Sequence, residues 1–138
     1  MRSLFLLVFV SLVLRSSGSA AQSADPVLIS GLKAWYENGA EAALNTWYSN
    51  WPERAAKMKE KLLPAVQDLG TVVDSEMIAI QPISNRVTRY YVAVYFTRTP
   101  LWLRIDRYAN GTTAFYLPLR FSTDPDQILP GYLTEFQL

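Results

Sequence analysis

Residues 87–121 read VTRYYVAVYFTR (87–98), TP (99–100), LWLRIDRY (101–108), ANG (109–111) and TTAFYLPLRF (112–121). The first run is the strongest strand signal in the chain, dense in Tyr and Val, whose ring and branched side chains suit a pleated surface. Thr99-Pro100 interrupts it, and Leu101–Tyr108 resumes the alternation. Asn110-Gly111 predicts a two-residue type I′ turn, after which Thr112–Phe121 returns antiparallel as one strand. Asn110-Gly111-Thr112 also spells a glycosylation sequon, but the hairpin accounts for these residues without it. Upstream, Thr71–Pro82 alternates as well, with Val73, Met77 and Ala79 on one face and Val72, Ile78 and Ile80 on the other. Ser84-Asn85 turns it into the long strand. The result is a meander of four antiparallel strands.

Before Gly70 the period changes from 2 to 3.6. Asp25-Pro26 sets an N-cap and a first helical residue; Leu28, Leu32 and Trp35 follow at helical spacing, and Gly39 stands where a C-cap belongs. A second short helix starts at Ala40, with Leu44, Trp47 and Trp51 on one stripe. Asn50 before Pro52 marks the junction to a third helix. Its apolar face is Ala55, Met58, Leu62, Val66 and Leu69, while Lys57, Glu60 and Lys61 face water. Pro64 predicts a kink or break just before it. The fold class is therefore α+β, with N-terminal helices packed on a curved four-stranded antiparallel sheet. No internal repeat or low-complexity linker divides residues 22–138, which form one domain.

The two sheet faces differ. Tyr90, Val92, Val94 and Phe96, with Leu101, Leu103 and Ile105 and with Phe115, Leu117, Leu119 and Phe121, make an aliphatic and Phe-rich face, the seat of the helices. The other face mixes Arg89, Tyr91, Ala93 and Tyr95 with Trp102, Arg104, Asp106 and Tyr108, and with Ala114, Tyr116 and Arg120. Solvated sheet faces normally carry Thr, Lys and Glu. Tyr, Trp and Arg are instead the types enriched at binding hot spots. Tyr91, Tyr95, Trp102, Arg104, Asp106 and Tyr116 are therefore the candidate ligand or partner surface. Three uses remain open: a homodimer or protein-partner interface, a cleft for a small apolar ligand, or packing alone, with the C-terminal tail lying across the rings. Trp35, Trp47 and Trp51 read as core, with Tyr36 and Tyr48 toward the rim; a carbohydrate or apolar-ligand platform is the alternative.

Composition removes whole classes of chemistry. With no Cys and no His among 138 residues, there is no disulfide framework, no thiolate nucleophile and no Ser-His-Asp arrangement. Residues 1–21 read as a secretory leader: Met1-Arg2 is followed by an apolar run over Leu4–Leu14, then Arg15 and the small residues Ser16 to Ala21. Cleavage fits best after Ala20 or Ala21. The apolar run is too short to span a bilayer, which takes about 20 helical residues, so no stable membrane anchor is expected after cleavage. Loss of Arg2 and Arg15 leaves eleven cations against twelve anions. That net charge of −1 argues against nucleic acid as a partner. An exported domain of this size without cysteine points to a bacterial periplasm or exterior.

The order of parts resembles the NTF2-like (cystatin-like) α+β fold. The resemblance rests on the Pro-initiated helix, the stretch Gly39-Ala-Glu-Ala-Ala-Leu-Asn-Thr-Trp47, and the strand ends Tyr95–Arg104 and Phe121–Asp124. It covers most of residues 25–130 and resembles small secreted members of that superfamily. It implies a sheet curled around the helices into a cone, frequent dimerisation through the sheet, and a range from enzymes to pure binding modules. One departure is that Trp51-Pro52 joins the second and third helices directly, leaving no room for the family's short hairpin.

Family enzymes of the isomerase or dehydratase kind place an Asp base and a Tyr or acid donor inside the cone. Asp74, Glu76, Asp106, Tyr108 and Tyr91 are the residue types here that could serve. Asp106 lies between Arg104 and Arg107, which suits a structural ion pair better than a tuned base. Asp124-Pro125-Asp126 reads as a cap or turn rather than a metal site, and the charges Glu53 to Lys61 as a solvated helix face. The expectation is a non-enzymatic exported binding domain, with no cofactor implied. A small lyase or isomerase using an Asp/Tyr pair in the cone is the alternative.

Overall fold

The computed structural model describes residues 24–135; the expected leader at 1–21 and the last three residues of the tail lie outside them. Asp25 caps the first helix, α1 (Pro26–Asn38), its carboxylate accepting from the Val27 N–H at 3.2 Å, with Pro26 at the first helical position. Gly39, at φ 102°, ends α1 and begins α2 (Ala40–Trp47). Such a left-handed value is cheap for glycine, so the chain reverses with no linker. The third helix, α3 (Pro52–Val66), starts at a proline as its spacing predicts. It runs through Pro64 rather than breaking before it. Pro64 sits in the last turn, where its ring costs a single backbone bond near an end that frays anyway.

The sheet consists of β1 (Val72–Pro82), β2 (Val87–Phe96), β3 (Pro100–Ala109), β4 (Ala114–Tyr116) and β5 (Arg120–Ser122). Its order is β1-β2-β3-β4, with β5 also paired to β3, and every pair is antiparallel. The sheet is curved and open. The expected return strand Thr112–Phe121 is split in two. Tyr116 faces Arg107 while Arg120 faces Arg104, so four steps of the return strand oppose three of β3. That extra residue, accommodated around Leu117-Pro118, reverses which alternate residues point inward. Tyr116 therefore lies on the helix side, with Leu119 and Phe121, and not on the outer face where simple alternation puts it. The hairpin also closes one residue later than expected. Asn110 N–H bonds Thr113 O at 2.9 Å, leaving Gly111 at φ 104° as the first central residue.

β1 departs from alternation for the same reason. Register shifts fall between Val72 and Asp74 and between Met77 and Ala79. Consequently Val72, Met77 and Ile80 all pack on the helix-side core, while Ile78 and Ala79 face outward. Both bulges lie on an edge strand, and Asp74 and Glu76 are exposed there, the combination that discourages edge-to-edge pairing.

The main core joins Leu28, Leu32 and Trp35 of α1, Ala43, Leu44 and Trp47 of α2, and Ala55, Met58 and Leu62 of α3. The inward residues of β2 and β3 complete it. Trp35 meets Trp47 and Phe96 edge-on, each at 6.2 Å between ring centroids. Two aromatic placements differ from the sequence reading. Tyr48 is buried, 2% exposed, not at the rim, because its hydroxyl finds the Leu117 carbonyl at 2.8 Å. Trp51 is 40% exposed rather than core, because the chain leaves α2 before reaching it.

Candidate functional site

Where α2 hands over to α3, the helices stand away from the end of the β3–β4 hairpin and leave a pocket of about 180 Å³. Its walls are Trp47, Tyr48 and Trp51 on the helix side and Phe115 and Tyr116 on the sheet side, with Asp25 and Arg107 at its polar end. Trp51 and Phe115 meet edge-on at 5.8 Å. The Arg54 guanidinium lies 3.8 Å over the Trp51 ring and donates to the Tyr116 carbonyl at 2.9 Å. That stacked, hydrogen-bonded arginine holds Trp51 in place even though the ring is partly exposed.

Asp25 organises the polar end. One carboxylate oxygen accepts from the Val27 N–H and from the Tyr116 hydroxyl; the other lies 3.4 Å from Nε of Arg107. The N-terminus of α1 favours negative charge at this point. Tyr116 is held protonated well above the ordinary phenol range, first by burial and then by its bond to the Asp25 carboxylate. Tyr90 is raised by burial and by the same carboxylate, and Tyr48 by burial, partly offset by Arg54. The pocket thus presents aromatic walls, neutral phenols, one partly exposed guanidinium and the polar side chains of Thr46, Ser49 and Asn50. Its single carboxylate is already engaged on both oxygens.

The outer-face candidates fall in different places. Tyr91, Tyr95, Trp102, Arg104 and Asp106 do share a face, since β2 and β3 pair without a register shift; Tyr116 does not. Tyr91 is only 4% exposed, because Ile128 and Leu129 of the tail lie over it, with Ile78, Ala79, Trp102 and Leu133 packed alongside. The tail is built from a 3₁₀ turn at Pro125–Gln127 and a short helix, α4 (Gly131–Thr134). Asp124 caps the 3₁₀ turn, accepting from Asp126 N–H at 3.0 Å, as its spacing suggests. Tyr95 is half-buried and donates to Glu76 at 2.7 Å, which holds its phenol protonated above the usual range. Asp106 takes the Arg89 guanidinium on both oxygens at 2.9 and 3.0 Å, and not Arg104 or Arg107. Of the possible acid–base residues, Asp106, Tyr108 and Tyr91 are on this outer face, and Asp74 and Glu76 are exposed on β1.

Asp25, Arg54, Arg107 and Phe115 carry the pocket, and sequence reading gave them humbler parts. Asp25 reads as a cap, Arg54 as part of a solvated face, and Arg107 as a neighbour of Asp106. The available signal was the run of large aromatics around Trp47–Trp51, which does line the pocket. Among the described residues no group of three or more His, Cys, Asp or Glu is placed to hold a metal ion, and no helix is long and apolar enough to cross a membrane. In comparisons with known proteins, the chain matches no family model, no curated protein and no solved structure.

Proposed function

We propose that this chain is an exported, non-enzymatic binding domain of NTF2-like build that holds a small apolar ligand. The observation that carries the reading is the aromatic pocket at the α2–α3 junction. At about 180 Å³ it compares with an engineered apolar cavity of roughly 150 Å³ that binds benzene. It suits a single ring or a short branched chain. The polar end fixes orientation, and the outer aromatic face, covered in part by the tail, is the weaker place for such a ligand. Export rests on the leader pattern of residues 1–21, and periplasm or exterior on the absence of cysteine.

Native mass spectrometry of the domain recovered from a bacterial periplasm tests the reading. The expected spectrum is a monomer carrying a small extra mass, which Trp51→Ala loses and Trp102→Asp keeps. A bare dimer broken by Trp102→Asp would shift function to the outer face as a self-association or partner surface. A bare monomer that takes up no small aromatic or aliphatic compound would refute the pocket reading. The N-terminus of the recovered protein, expected at residue 21 or 22, tests export separately.

A second reading has its own observation. Asp25 and Tyr116, hydrogen-bonded at the pocket's polar end, form an Asp/Tyr pair of the kind a small lyase or isomerase uses. Turnover of a carbonyl compound, abolished by Asp25→Asn and by Tyr116→Phe, would establish it.

A further inference from the structure

The outer sheet face holds a charge cluster that the pocket does not use. Arg104 of β3 and Arg120 of β5 are direct cross-strand partners. Their side chains leave the same face from Cα atoms about 5 Å apart. Arg89 lies on the neighbouring strand, where Asp106 occupies its guanidinium. Neither Arg104 nor Arg120 has a carboxylate within 4.0 Å among the described residues. Asp106 contacts Arg89 alone and reaches Arg104 only through longer-range attraction. Like charges directly opposite in a sheet are destabilising. Arg104 is also half-buried beside its other cross-strand partner, Tyr91, which the tail covers. Burial first, then Arg89 and Arg120, pull its pKa downward against the opposing pull of Asp106 and Tyr91. The fold thus sets the half-buried Arg104 beside the exposed Arg120 with no carboxylate in contact with either, an arrangement that an anion would relieve.

We propose that Arg104 and Arg120 form a binding site for a tetrahedral oxyanion, phosphate or sulfate, free or as the terminal group of a small molecule. Each guanidinium is a planar fork that grips two oxygens at once. Two such forks leaving adjacent strands straddle a group with three or four oxygens, whereas a carboxylate fills only one. Tyr91 and Trp102 flank Arg104 on this face, and the tail packed over them walls the site on one side. The site is separate from the aromatic pocket, because Arg107, which serves the pocket, points to the opposite face.

The test is thermal unfolding in sodium phosphate against sodium chloride at matched ionic strength, with calorimetric titration of inorganic phosphate. Phosphate should raise the wild-type Tm beyond the chloride control and saturate, with one site per chain. In Arg104→Gln and in Arg120→Gln the affinity should fall about tenfold or more, since each loses a charge-assisted pair of bonds. Both variants should melt at or above the wild-type Tm without phosphate, because the repulsion is gone; lost binding is then not mistaken for misfolding. Equal shifts in phosphate and chloride would reduce the effect to screening and overturn the proposal. A phosphate shift unchanged in both variants would do the same, since general exclusion of phosphate from protein surface needs no arginine.

Discussion

Asp25→Ala removes the N-cap acceptor of α1, the acceptor for the Tyr116 hydroxyl and the counter-charge of Arg107 in one substitution. Loss of an Asp cap costs about 1 kcal/mol. Tyr116 is 6% exposed, so its hydroxyl, left without an acceptor, adds about 1–2 kcal/mol. The ion pair, longer and partly exposed, adds about 0.5 kcal/mol. The sum is about 3 kcal/mol, a fall in Tm of roughly 12 °C for a domain of this size. A double-mutant cycle in urea isolates the hydrogen bond. In a Tyr116→Phe background Asp25→Ala loses only the cap and the ion pair, so it should cost about 1.5 kcal/mol less than in wild type. Asp25→Asn, which keeps a good cap and an acceptor, should cost under about 1 kcal/mol. If Asp25→Ala costs the same in both backgrounds, the Asp25–Tyr116 bond is not a stabilising part of the pocket and the reasoning fails.

Three further outcomes are expected. Gly31→Ala should lower the Tm although alanine is the better helix former by about 1 kcal/mol; its Cβ would lie 1.9 Å from Trp47 Nε1, displacing an indole that donates to the Leu28 carbonyl at 3.1 Å, and a Tm at or above wild type would count against that packing. Stability should fall steeply with alkali: Tyr48, Tyr90, Tyr95 and Tyr116 have folded pKa values raised above the unfolded value. Their contribution is therefore complete below about pH 10 and lost above it, at up to about 1.4 kcal/mol per pH unit for each of the two most strongly raised, Tyr48 and Tyr116, and a denaturant midpoint unchanged between about pH 9 and 11 would contradict this. Ile128→Ala with Leu129→Ala should cost about 3–5 kcal/mol and shift the Trp102 emission to the red while the helical circular dichroism persists below the transition; unchanged emission would mean the tail does not cover that face.

Features fixed by near neighbours were legible in the sequence. The Asp25-Pro26 start of α1, the Gly39 joint and the strand character of residues 87–96 each rest on side chains a few positions apart, where propensity and capping act. The outer-face set Tyr91, Tyr95, Trp102, Arg104 and Asp106 was legible too, because β2 and β3 pair in unbroken register. Alternation failed where a single residue was inserted: the β1 bulges put Met77 on the side of Val72 and Ile80 instead of Ala79, and the slip near Pro118 turned Tyr116 inward. The pocket was the least visible part. Its ties join residues 62 to 91 positions apart: Arg54 to Tyr116, Tyr48 to Leu117 and Asp25 to Tyr116. No periodicity encodes such meetings, and an aspartate that caps a helix looks the same in sequence whether or not it also anchors a tyrosine.

The order of the chain gives the outer face a schedule. All three long helices and all five strands precede Ile128 and Leu129 in the chain, so a chain emerging N-terminus first, at the ribosome or across a membrane, completes its sheet before the segment that covers Tyr91 and Trp102 arrives. Six residues, 123–128, lie between the end of β5 and Leu129, so the covering segment follows the last strand closely. A sheet lacking that segment presents a bare aromatic outer face, and a chaperone that recognises such surface would compete with the tail itself.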